Sequence, residues 1–129
     1  MERTKSSGWI FEVDQILTRC ETGAVDQAQL LRDVHVLIST QRAPICRAIK
    51  PEITASALEM LLERGAYESA ALRMLSRCGL MFSRDQDGLS IATVVPPSSD
   101  RDYSFSAFSE CVALVGALMT CLQETVTAE

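Results

Sequence analysis

Apolar residues recur along this chain at spacings of three and four, and one stretch alternates instead. Trp9, Ile10, Val13, Ile16, Leu17 and Cys20 mark a short amphipathic helix that Gly23 closes. Leu30, Leu31, Val34, Leu37 and Ile38 give a second helix over residues 24–40. Pro51, favourable in a first helical turn, predicts a third helix to about Arg64, with Ile53, Leu58, Leu61 and Leu62 as its stripe and Gly65 as its break. A fourth runs over residues 66–78 with Tyr67, Ala71, Met74, Leu75 and Cys78 inward, and Gly79 stops it. The last helix covers about 106–125, striped by Phe108, Cys111, Val112, Val115, Leu118, Met119 and Leu122.

The alternating stretch is Gly79 to Val95. Leu80 and Phe82 alternate with Met81 and Ser83; after Asp85-Gln86-Asp87-Gly88, Leu89, Ile91 and Thr93 alternate with Ser90, Ala92 and Val94. That pattern predicts a β-hairpin over about 80–95, turning at Gly88, with Leu89 and Ile91 toward the core. Residues 96–106 follow as a polar loop. The fold expected is therefore α+β and mostly helical, with four or five helices and one antiparallel hairpin. Residues 1–8 are a flexible N-terminus and 9–129 a single compact domain. A two-stranded ribbon is unstable alone, so helices must cover one face. Its unpaired edges make it a scaffold and a docking edge.

The last helix is apolar nearly all round, which calls for burial on two sides. Its small face, Ala113, Gly116 and Ala117 with Leu114 and Cys121, is one candidate interface of a homodimer, and the hairpin edge is the other. With 129 residues the chain can bury about two-thirds of its unfolded surface. An aromatic fraction of only 5% leaves that core to Leu, Val, Ile, Met and Ala.

Charge adds polarity along the chain. Net charge is −5, but residues 1–50 carry seven basic and six acidic side chains, while residues 51–129 carry five basic and eleven acidic ones. The acidic half repels phosphate, so nucleic acid is a disfavoured partner. Arg42, Arg47 and Lys50 cluster around Pro44 as either a solvated linker or a basic docking patch. The order helix, turn, helix, hairpin over 53–95 also outlines a winged helix-turn-helix. On that alternative Glu68, Ser69, Arg73, Ser76 and Arg77 face DNA, and the tip Arg84 to Asp87 is the wing.

Recognisable catalytic chemistry is absent from the sequence. It has no phosphate loop, dinucleotide fingerprint, zinc-protease motif or nucleophile elbow. Cys20, Cys46, Cys78, Cys111 and Cys121 are odd in number and lack Cys-x-x-Cys spacing, which reads as buried thiols in a reducing, cytoplasmic compartment. His35 is the sole histidine and reads as a boundary residue. Asp85 with Asp87 and Asp100 with Asp102 are separated by a strand of about 23 Å, too far for one shared cation. No cofactor, metal or membrane span is expected.

Residues 68–123 read in order as an Ala/Leu-rich helix, the Gly79 stop, a strand ending before Asp87-Gly88, an alternating strand, a polar loop and a Cys/Ala/Leu-rich helix. In that order the segment resembles the small phage-encoded α-β-β-α "ABA sandwich" domains. The resemblance implies an accessory protein of a mobile element, non-catalytic, that inhibits or adapts a host protein complex. A small acidic dimeric chaperone is a related alternative.

Overall fold

A computed structural model of the chain describes residues 2–23, 26–97 and 99–128, with side chains over 8–23, 26–97 and 99–125. Six helices and three strands lie among them: α1 Glu2–Thr22, α2 Gln27–Thr40, α3 Pro44–Ala48, α4 Ala55–Glu63, α5 Tyr67–Met74, β1 Gly79–Arg84, β2 Ser90–Val95, β3 Tyr103–Ala107 and α6 Glu110–Ala128. The protein is thus α+β and mostly helical, with an antiparallel meander in the order β1-β2-β3.

The helix boundaries follow capping chemistry. α1 begins at Glu2 rather than at Trp9, where its buried face begins. Ala24 and Val25 lie outside the described residues, and α2 starts behind Asp26, whose carboxylate accepts from the Gln29 N–H at 3.2 Å. α4 starts not at Pro51 but behind Thr54, whose hydroxyl accepts from the Ala57 N–H at 3.1 Å. Ile53 and Leu58 hold the two staple positions around that cap, and both are buried. The Ile53 carbonyl also bonds His35 Nε2 at 2.9 Å, so the lone histidine pins the entry to α4. α4 ends in a Schellman motif: Gly65 N–H donates to Leu62 O and Ala66 N–H to Leu61 O. α5 stops at Met74, earlier than Cys78; a turn over 75–78 follows, and Gly79 opens β1 instead of capping a helix.

α6 is the central element. Residues 111–119 are buried without a break. The sheet covers one side of the helix, α1 the other, and α5 and α2 close the flank. On the sheet side, Phe105 of β3 lies over Gly116 so closely that a Cβ there would overlap its ring. Ala113 and Ala117 flank Gly116 on the same helix face. Gln123 Nε2 donates to Asp14 Oδ1 at 2.7 Å, tying the α1 side.

Three expectations about this region are overturned. The small face of α6 is spent on the chain's own sheet: Ala113, Leu114, Ala117 and Cys121 are fully buried and present no surface to a second copy. The loop over 96–106 contains β3, whose Tyr103, Phe105 and Ala107 point toward α6. Phe108 precedes α6 and is 83% exposed, so it is no part of the helix stripe.

The parity of β2 is also the reverse of the expected one. Ser90, Ala92 and Val94 are buried beneath α6, while Leu89 and Ile91 are not. The turn sets this. Asp85 N–H donates to Leu89 O at 3.0 Å, Gly88 N–H returns to Asp85 O at 3.1 Å, and Gly88 sits at φ +86°. This is a type I turn followed by a glycine bulge, and the bulge shifts the strand by the one residue that exchanges its faces.

Candidate functional site

The exposed large apolar side chains Phe11, Val36, Met60, Leu72 and Phe108 fall on separate elements. Met81 and Phe82 are different: they are neighbours on β1, 68% and 41% exposed. β1 packs on β2, and α6 lies across β2 and β3 without extending over β1. Phe82 therefore overhangs the helix despite its inward parity, and Met81 stands on the uncovered face.

The register fixes what that uncovered face carries. Opposite α6, Met81 and Ser83 of β1 line up with Thr93 and Ile91 of β2, and these with Ser104 and Ser106 of β3. Val95 continues the row beside Gly79. Ile91, Thr93 and Val95 are half-buried. Thr93 Oγ1 and Ser104 Oγ share a hydrogen bond of 2.7 Å, which holds β3 to β2 on this side.

The free backbone edge follows from the same turn. Hydrogen-bonded and non-hydrogen-bonded pairs alternate along an antiparallel ladder. Asp85 with Leu89 is a bonded pair, so Ser83, Met81 and Gly79 also bond inward to β2. Leu80, Phe82 and Arg84 then direct their N–H and C=O groups out of the sheet. β1 carries no proline to blunt this edge.

At the turn end of β1, Arg84 Nη2 meets Glu110 Oε1 at 3.2 Å, joining the strand to the first residue of α6. Glu68 of α5 completes the corner. Its carboxyl is pushed above the usual range by a hydrogen bond with Glu110, then by desolvation and by the repulsion between the two carboxylates, against which Arg84 pulls down. A recess of about 570 Å³ opens here, lined by Tyr67, Glu68, Arg84, Phe108 and Glu110. Its balance of two carboxylates to one guanidinium repels phosphate.

The other predicted residues scatter. Ser69, Arg73 and Arg77 are exposed on and after α5, without ion pairs among the described residues, while Arg84 is held by Glu110. Arg42, Arg47 and Lys50 are exposed around α3, and Cys46 between them is buried in the core. Asp85 is committed to its turn: Oδ1 accepts from the N–H groups of Asp87 and Leu89 at 2.9 and 3.0 Å. No group of three or more metal-ligating side chains exists among the described residues.

No disulfide joins the five cysteines among the described residues. Burial pushes Cys20 and Cys111 up to about 12, and Cys78 and Cys121 up to about 11. They are protonated thiols at neutral pH, poor as nucleophiles. No helix of the described residues is long and apolar enough to cross a membrane.

Comparison of the chain with protein-family models, with curated proteins and with solved structures finds no match.

The open sheet face was the part that sequence reasoning missed. A signal for it exists: in Leu80-Met81-Phe82 apolar residues occupy both parities of one strand. A strand with only one covered face does not need that.

Proposed function

We propose that this chain is a small non-catalytic interaction protein whose docking surface is the uncovered sheet face, with Met81, Ile91 and Val95 as its apolar contacts. One observation carries the reading: α6 covers a single face of the sheet and stops short of β1, so this row stays outside the core. Five cysteines with no disulfide among the described residues fit a reducing compartment such as the cytoplasm. The finer reading of a mobile-element inhibitor or adaptor that acts on a host protein complex rests on the sequence resemblance to phage ABA-sandwich domains alone, and β3 departs from their α-β-β-α order.

The test compares the tagged chain with its Ile91→Lys variant as bait in host lysate, read by quantitative mass spectrometry. Ile91 lies on the central strand, so the change alters the face and leaves the β1 edge intact. A protein enriched by the parent and lost at least tenfold with the variant is the expected result. A captured set that the variant leaves unchanged overturns the reading.

The winged-helix alternative has the exposed Arg73 and Arg77 in its favour. Against it stand the Arg84–Glu110 pair and the acidic hairpin turn. Fluorescence anisotropy with a duplex of mixed sequence separates the two. Salt-sensitive binding that Arg73→Glu abolishes favours DNA, and no binding at low salt removes it.

A further inference from the structure

We propose that the free edge of β1 pairs with β1 of a second copy, antiparallel, about a twofold axis at Met81. The result is a continuous six-stranded sheet across two copies. This goes beyond the open-face reading and does not depend on it.

Three features of β1 point to the second copy as the occupant. The first is the outward backbone of Leu80, Phe82 and Arg84, which offers a donor and an acceptor at every second residue, as a twofold strand pair requires. The second is side-chain register. Residues opposite each other must share a face, so the axis falls on a residue, and the two that pair the whole middle of β1 are Met81 and Phe82. An axis at Phe82 would set Leu80 against Arg84, whose guanidinium is engaged by Glu110. An axis at Met81 sets Leu80 against Phe82 twice on the helix side, and Met81 against Met81 on the open side. Apolar then meets apolar at each central pair, and Phe82 gains the cover that α6 does not give it.

The third feature is charge. With the axis at Met81, the Asp85–Asp87 turn of one copy runs alongside Arg77 of the other, at both ends of the pair. Arg77 lies in the turn that leads into β1, is exposed, and has no ion pair among the described residues. Asp85 uses only Oδ1 within its own turn among the described contacts, so Oδ2 can accept from a guanidinium. One strand per copy is a small contact by the standards of stable interfaces, about 1,200–2,000 Å². The dimer is therefore expected to dissociate in the micromolar range.

The test measures the mass of the full chain by sedimentation velocity from about 1 μM to 1 mM. The parent is expected to shift from monomer to dimer across that range. Phe82→Pro removes an outward N–H that bonds nothing within the chain and is expected to weaken the dimer at least tenfold while remaining folded. Phe82→Lys is the second variant should proline disturb the strand.

Register is tested by cysteine. Under mild oxidation Met81→Cys is expected to form a covalent dimer, because a non-hydrogen-bonded pair places its Cα atoms about 4.5 Å apart, within reach of a disulfide. Ser83→Cys, which would face Gly79 of the other copy, stays monomeric on a denaturing gel, as does the parent. A chain that is monomeric throughout, a dimer indifferent to both Phe82 variants, or cross-linking at residue 83 but not at 81 overturns the proposal. The open-face reading fails separately. Partner capture lost with Ile91→Lys from a monomeric chain leaves docking standing without the dimer. A β1-linked dimer whose captured set ignores Ile91→Lys does the reverse.

Discussion

β1 and β3 flank the same central strand, but they are secured differently. β3 turns Tyr103, Phe105 and Ala107 under α6, and Phe105 fits the space that Gly116 leaves. β1 has apolar side chains in plenty, yet of its helix-side residues Leu80 packs against the core only half-buried, and Phe82 remains exposed. Hydrophobic content does not distinguish them; position relative to one buried helix does. The side chains of β3 are committed to the core and those of β1 only in part, and substitutions on the two sides should report on different properties.

The largest effect is expected where α6 meets both of its neighbouring layers. Leu118 is 1% exposed. Leu118→Ala should lower the unfolding free energy by about 2–5 kcal/mol, measured by urea denaturation, through lost transfer energy and the cavity left behind. On the β3 side, Gly116→Val should cost about 1–3 kcal/mol, because the added side chain must displace the Phe105 ring or the helix. A loss below about 0.5 kcal/mol for Gly116→Val would mean that β3 is not seated on α6 as described.

How much of this was legible in the sequence depends on the element. The buried stripes of α1 and α2 follow directly from their spacing, since an amphipathic helix has one way to face a core. α6 announces burial on two sides, but its apolar circumference does not say whether the second cover is a subunit or the chain's own sheet. Deciding that needs β3, whose strict alternation of Tyr103, Phe105 and Ala107 with two serines lies in the sequence behind a proline pair and the Asp100-Arg101-Asp102 run. The parity of β2 was hidden more deeply. A single residue in the Asp85–Leu89 turn sets it, and side-chain type misleads there, because Ile91 is outside and Ser90 inside. Ser90 Oγ is buried with no hydrogen-bond partner among the described residues, a placement that no hydropathy pattern predicts. The corner of Glu68, Arg84 and Glu110 joins three elements far apart in sequence, so no local motif could reveal it.

The β1 side should behave oppositely. Phe82→Lys is expected to change the unfolding free energy by less than about 0.5 kcal/mol at a concentration where the chain is monomeric, because the ring is 41% exposed and uncovered by α6. The same variant should abolish the concentration dependence of the melting temperature, which in the parent reflects association. A loss above about 2 kcal/mol in the monomer would place Phe82 in the core and remove the distinction between the two edges.

The smallest expected effect sits where β1 is fastened to α6. Glu68 has a raised carboxyl pKa in the folded chain, so the native state binds its proton more tightly than the unfolded chain does. The stability this provides is fully present below the ordinary carboxylate value and is lost as pH rises through the raised folded value. Above that window the Glu68 carboxylate competes with Glu110 for Arg84, whose pair with Glu110 is well exposed. Glu68→Gln removes the titration and keeps the shape. Its melting temperature should fall less than the parent's as pH rises through that window, and the two curves should run parallel at neutral pH. A parent curve that instead rises relative to Glu68→Gln across the same window would mean that Glu68 is stabilised as a carboxylate. Arg84 would then pair with both glutamates, and the free end of β1 would be fastened to α5 as firmly as to α6.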